Sequence, residues 1–281
     1  MNATRVLFDE PGPKARARIR ITTVVVILVI LGVFALVLVQ FGSHGQLAPE
    51  RWTQFTEGPI IRYIGTGLVS TLQAAAVAAV VSVPLGALFS VLRLSRSRPV
   101  RWLSTAYIEI FRSTPLLLLV YLFVGGLPAI GWNFPIFWKL VIPMILVNVA
   151  VLAEIFRAGV ASLPKGQSEA GLSIGLTYSQ NLRSIVFPQA IRLVIPALVT
   201  QLVALLKDTT LGYAASYPEL MKTATNLTAF TGYLIQTYLV IATLYVVLNF
   251  LISKLAELLE RRINGGDRTA AAVAKVTVPA E

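Results

Sequence analysis

Two Glu/Arg pairs, Glu109 with Arg112 and Glu154 with Arg157, are each spaced three residues apart inside long apolar runs. At that spacing the partners share one helix face and can neutralise each other. A charge near the centre of a bilayer costs about 2.5–3.5 kcal/mol on insertion scales, so such residues pair or face the protein interior. Two readings stay open for them: structural pairing with snorkelling, and a part in an inner gate. Further along, Gln201 and Asp208 are seven residues apart and fall on nearly the same face, with Ala204 and Leu205 between them. Thr200 and Thr210 add hydroxyls, and Asn148 adds an amide to another apolar run. Polar side chains in such places either bond helix to helix, at about 0.6 kcal/mol each, or line a path for polar cargo. There is no Cys and a single His, His44. No zinc or iron–sulfur site, disulfide framework or Ser–His or Cys–His nucleophile is therefore expected.

The elements that must position these residues are membrane spans. Of the 281 residues 56% are hydrophobic and 13% charged, with a mean hydropathy of +0.75. Soluble domains carry about 25% charged residues, so an ordinary globular enzyme is excluded. Residues 21–41 contain no charge and are long enough to cross the hydrocarbon core. A secretory signal peptide is the competing reading, because Arg16, Arg18 and Arg20 precede the run. The apolar stretch is too long for that, and no small-residue cleavage site follows. Five more spans are expected near 65–92, 103–125, 136–162, 182–207 and 232–256. Fourteen Lys and Arg fall in the segments on one side: five before residue 21, Arg93, Arg96, Arg98, Arg101, Lys165, and four in the tail. The opposite segments hold Arg51, Arg62 and Lys222. By the positive-inside rule both termini are cytoplasmic. The net charge of +11 is then a topology signal, and no nucleic-acid partner is needed. No internal repeat is visible, and the tail 257–281 is expected to be mostly disordered.

The segment 163–181, between the fourth and fifth spans, is the most informative. Pro164 and Gly166 end the incoming span, and Ser168 is expected as N-cap with Glu169 at the positive end of the helix dipole. Ala170, Gly171 and Gly175 leave one side of the short helix nearly bare. On spacing alone this is either a docking helix or a surface helix at the headgroups.

Glu169-Ala170-Gly171, then Gly175, Ile185 and Phe187-Pro188, resembles the EAA loop of ABC importer membrane subunits, with Gly171 for the second Ala and Phe187 for Leu. Residues 67–72 (GLVSTL), 109–115 (EIFRSTP), 153–159 (AEIFRAG) and 207–211 (KDTTL) resemble the polar amino acid uptake branch of that family. The resemblance covers about residues 65–255. It implies an all-α integral membrane protein of six transmembrane helices. Five form a type I ABC importer permease core over 65–256, and the helix at 21–41 is extra, preceded by a basic cytoplasmic segment 1–20 and followed at the far end by the tail 257–281.

The same resemblance implies a permease subunit of the bacterial inner membrane, working as a homo- or heterodimer. Its partners would be a cytoplasmic ATPase and an extracytoplasmic amino acid-binding protein. Glu169, Ala170, Gly171 and Gly175 would couple it to the ATPase, which would hold ATP and magnesium. The chain has no G-x-x-x-x-G-K-[ST] phosphate loop, so it is expected to be no enzyme itself and to carry no cofactor. An amino acid cargo needs an acceptor for its ammonium, which suits Asp208, and donors for its carboxylate, which suits Asn148, Gln201 and Thr210. An amide at Gln201 leaves room for a neutral or acidic side chain, so glutamate, glutamine or a relative is favoured. The alternative is an ion-coupled secondary carrier or channel using Glu109, Glu154 or Asp208 as its proton or cation site.

Overall fold

The computed structural model describes residues 12–276, and every regular element among them is helical. The first of two compact units ends at Glu57. It holds α1 (Pro13–Ser43) and the short α2 (Glu50–Thr53). Helix α1 contains the expected 21–41 span, is long enough to cross a membrane, and buries none of its residues. That is how a helix that is apolar on all sides meets lipid.

The second unit starts with α3 (Gly58–Arg93), α4 (Arg98–Ser113), α5 (Leu116–Tyr121) and α6 (Leu127–Ala129). A π-type stretch, Leu122–Gly126, joins the last two. The expected third span at 103–125 is not one helix: α4 and the α5–α6 segment are bent by 96° at the break between them. Pro115 explains this, since the residue before a proline is driven out of the helical region, and Thr114 is extended (φ −88°, ψ 125°). The chain continues through α7 (Ile136–Ser162), α8 (Lys165–Ser173), α9 (Tyr178–Asn181) and α10 (Phe187–Asp208), then α11 (Leu220–Thr231) and α12 (Leu234–Val276). Five helical segments are long and apolar enough to span a membrane, six if the bent pair is one span. From Glu257, where disorder is expected, α12 continues as helix to Val276; the expectation for 277–281 lies outside the described residues.

Helix α7 is the hub, packing on α3, α4, α5 and α10. Close approach comes from small residues, which substitute for the missing hydrophobic drive between helices in lipid. A Cβ on Gly86 would fall 2.6 Å from Leu152 Cβ, and one on Gly159 would fall 2.3 Å from a Val194 methyl. The core gathers Ala74 and Ala78 of α3, Val120 of α5, Leu140 and Met144 of α7, and Leu205 and Leu206 of α10. Pro84, Pro143 and Pro196 lie inside α3, α7 and α10, tolerated where neighbouring helices can meet the freed backbone groups.

Candidate functional site

At the midpoint of α7, Asn148 is fully buried. Its Nδ2 donates to Met144 O at 2.9 Å, and its Oδ1 accepts from Gln201 Nε2 at 2.7 Å. The Asn148 side chain also interacts with the Asp208 carboxylate. Three of the four residues expected along the path, from two helices, are thus brought together. Thr210 is not among them; its hydroxyl donates to Lys207 O at 2.7 Å, within its own turn. Asp208 is half-buried and is the last residue of α10. At 1.5 Å per residue it stands about 30 Å from the α9 end of that helix.

Next to this cluster lies a polar group that sequence reasoning missed. Glu219 is fully buried and caps α11: its Oε2 accepts from Met221 N and its Oε1 from Lys222 N, both at 2.7 Å. Tyr245 of α12 donates to Oε2 at 2.9 Å, and Thr71 of α3 accepts from Leu220 N at 3.0 Å. Burial pushes the Glu219 carboxyl up to about 7, against the pull of these donors. Glu is not a favoured N-cap residue, so its sequence position gave no signal.

The Glu/Arg pairs also form, and not as two separate pairs. Arg112 meets Glu109 at 2.8 Å and Arg157 meets Glu154 at 2.5 Å, but Arg93 bridges both. Its Nη2 lies 2.8 Å from Glu109 Oε1 and its Nη1 lies 3.0 Å from Glu154 Oε2. The five side chains tie the ends of α3 and α4 to α7. Arg93, assigned from sequence to a loop, is the last residue of α3 and is only 19% exposed. Nothing in local spacing joins residues 16 and 61 positions apart.

In the segment 163–181 the expected N-cap is corrected. Helix α8 starts at Lys165 behind Pro164, with no side-chain cap. Ser168 sits inside it, and its Oγ and carbonyl both accept from Asn181 Nδ2, at 2.8 and 3.1 Å. Leu163 and Pro164 are extended, so the chain re-enters helical geometry at Lys165, three residues before Ser168. The bare side is likewise divided. Gly171 is buried, and a Cβ there would fall 2.2 Å from Asn181 Oδ1. Glu169, Ala170 and Gly175 are exposed, and so are Leu172 and Ile174, the latter at 76%. Gly175 has φ +86° and closes a Schellman motif, with Gly175 N donating to Leu172 O and Leu176 N to Gly171 O. A capping box, Thr177 with Gln180, then opens α9.

A model of binding-protein-dependent transport system inner membrane components matches residues 82–265, about two thirds of the chain. The chain belongs to that family. Within it, the chain is 34% identical over 238 residues to the glutamate transport system permease protein GluD of Corynebacterium glutamicum, covering 83% of this chain and 87% of that one. It is 34% identical over 212 residues to the glutamate/aspartate import permease protein GltK of Escherichia coli (73% and 95%). It is 30% identical over 210 residues to the arginine transport system permease protein ArtQ of Bacillus subtilis (74% and 96%). A crystal structure of an amino acid ABC transporter with histidines superposes with a TM-score of 0.70 at 30% identity, covering 75% of this chain and 98% of that one. This family member is therefore an amino acid ABC importer permease, a multi-pass protein of the inner membrane. Its α8–α9 segment and the α7–α10 polar cluster both lie within the matched residues.

Proposed function

We propose that this permease moves a polar amino acid, glutamate or glutamine by preference, across the membrane under the drive of a separate ATPase, and that α8 receives the drive. The observation that carries the reading is the build of α8. It is a short helix locked at both ends, by Asn181 on Ser168 and by the Schellman turn at Gly175, yet it leaves Glu169, Ala170, Leu172 and Ile174 exposed. A rigid, partly apolar protrusion between two spans suits docking to another protein and passing on its motion. ATP and magnesium then bind on the partner, and this chain needs no cofactor. The bias of Lys and Arg supports a cytoplasmic side for both termini and α8.

A second permease copy or sister subunit completes the path at their interface, and an extracytoplasmic binding protein delivers the cargo. Asp208 is the acceptor for the cargo ammonium. Asn148 and Gln201 hold the wall of the path in register, and Thr210 offers a hydroxyl at its mouth. The glutamate permeases among the relatives support the acidic preference. The ion-coupled carrier reading loses Glu109 and Glu154 as candidate ion sites, because three guanidinium groups already neutralise them.

The test is ATP-dependent uptake in vesicles holding this chain with its co-purified partners. Replacing Glu169, or deleting residues 168–178, should abolish uptake while insertion stays normal. Retained uptake refutes the coupling role, and stronger competition by arginine than by glutamate refutes the substrate preference.

A further inference from the structure

The connection between α3 and α4 forms, with the start of α9, a cavity of about 210 Å³ that neither the polar cluster nor α8 uses. Arg96, Arg183, Ser95 and Ser179 line it, together with Tyr178. The Arg96 guanidinium lies 4.7 Å from the centre of the Tyr178 ring, and Tyr178 Oη donates to Leu94 O at 3.1 Å, so the ring fixes both the loop and the arginine. Both arginines are exposed, and no acidic side chain lines the cavity. Its remaining lining is apolar: Val91, Leu92 and Leu182. It opens where two apolar spans end, Gly58–Arg93 and Tyr178–Tyr213, beside the further cations Arg98 and Arg101.

We infer that this cavity is a binding site for the phosphate headgroup of an anionic phospholipid. Two guanidinium groups and two hydroxyls suit a phosphate monoanion, for which arginine is the preferred donor. A free phosphate would leave the three aliphatic side chains without a use, whereas the glycerol and upper acyl carbons of a lipid cover them. The position at the ends of two spans is the depth at which headgroups lie. Bound there, the lipid bridges the α3–α4 connection to α9, and through Asn181 it touches the support of α8. The inference does not depend on α8 being the coupling helix.

The experiment uses the full chain with its co-purified partners in nanodiscs made from equal parts of phosphatidylglycerol and phosphatidylcholine, read by native mass spectrometry. The unaltered protein should retain phosphatidylglycerol in preference. The double variant R96Q/R183Q should retain about 30-fold less, the loss expected for two charges at the membrane surface. R96K/R183K should keep most of the lipid, and R62Q, which removes a cation at the opposite end of α3, should keep all of it. Equal retention by R96Q/R183Q, with a size-exclusion profile like that of R96K/R183K, overturns the inference. Two other results also overturn it. Release of the lipid by inorganic phosphate would make the site one for a soluble anion, and loss of a bound protein with lipid retention unchanged would make it a protein contact.

Discussion

Asp208 and Asn148 are both polar residues of the same cluster, but their surroundings assign them different work. Asn148 has its donor and its acceptor engaged, by Met144 O and Gln201 Nε2, and is sealed from solvent. Asp208 is half-buried where α10 passes into a 3-10 turn over Thr209–Tyr213, with the Asn148 amide beside its carboxylate. Under the proposed function the cargo ammonium is the cation that Asp208 meets. Asp208→Asn should therefore cut uptake kcat/KM by about 10- to 100-fold, the value of a charge-assisted hydrogen bond, with little change in melting temperature. Asn148→Ala should do the reverse, costing about 1 kcal/mol of stability through the unpaired Gln201 amide; thermal melting in detergent separates the two. At residue 171 the departure from the family's Ala has a local cause. A Cβ there meets Asn181, whose amide is held by Ser168. Gly171→Ala should destabilise by about 1–3 kcal/mol. In a double-mutant cycle with Asn181→Ala the penalties should fall short of additive, because removing the amide also removes the clash. Additive melting shifts would show that the two residues are uncoupled.

Helix ends carry much of the information at the next scale. The turn after α8 needs φ +86° at Gly175, a conformation an L side chain enters at a cost of about 1–2 kcal/mol. The spacing from Glu169 to Gly175 is thus the length of helix that the Schellman turn closes. The start of α11 rests on the buried Glu219 carboxyl, whose ordinary value of 4.5 is raised to about 7. The folded state then keeps a proton that the unfolded chain has already released between those limits. This group's stabilisation is greatest at low pH and is lost as pH rises from about 4.5 to about 7, by at most about 3 kcal/mol. The melting temperature should fall over that interval in the unaltered protein, and the fall should shrink in Glu219→Gln, which cannot titrate. Parallel melting curves for the two proteins across pH 5–8 would show that the carboxyl does not carry the effect. Between α4 and α5 a single dipeptide, Thr114-Pro115, turns an apolar run of span length into two helices 96° apart.

Over the whole molecule, the five-membered network of Arg93, Glu109, Arg112, Glu154 and Arg157 fastens α4, on one side of that bend, to α3 and α7. Both of its contacts between helices pass through Arg93. Arg93→Ala should cost on the order of 1 kcal/mol, discounted for partial exposure, and should loosen α4, seen as faster amide exchange over 98–113. Arg112→Ala removes one pair within a helix and should leave that exchange unchanged. Equal exchange in both variants would show that the bridge holds nothing. All of the spans but the bent third, and the family, were legible in sequence because apolar run length and the EAA spacing are local, one-dimensional signals, and a bilayer permits few other structures for such runs. The paired glutamates were legible for the same reason, being three residues from their arginines. Other features depend on residues far apart in the chain: Arg93 reaching Glu154, Gln201 meeting Asn148, Tyr245 closing on Glu219, and Asn181 occupying the space that Gly171 leaves. By itself, the sequence determined an all-helical membrane permease with a short exposed helix between two spans. The tertiary structure alone decided which polar groups neutralise one another across helices and which, like Asp208, stay only half-buried, because helix packing, not spacing, sets which side chains meet.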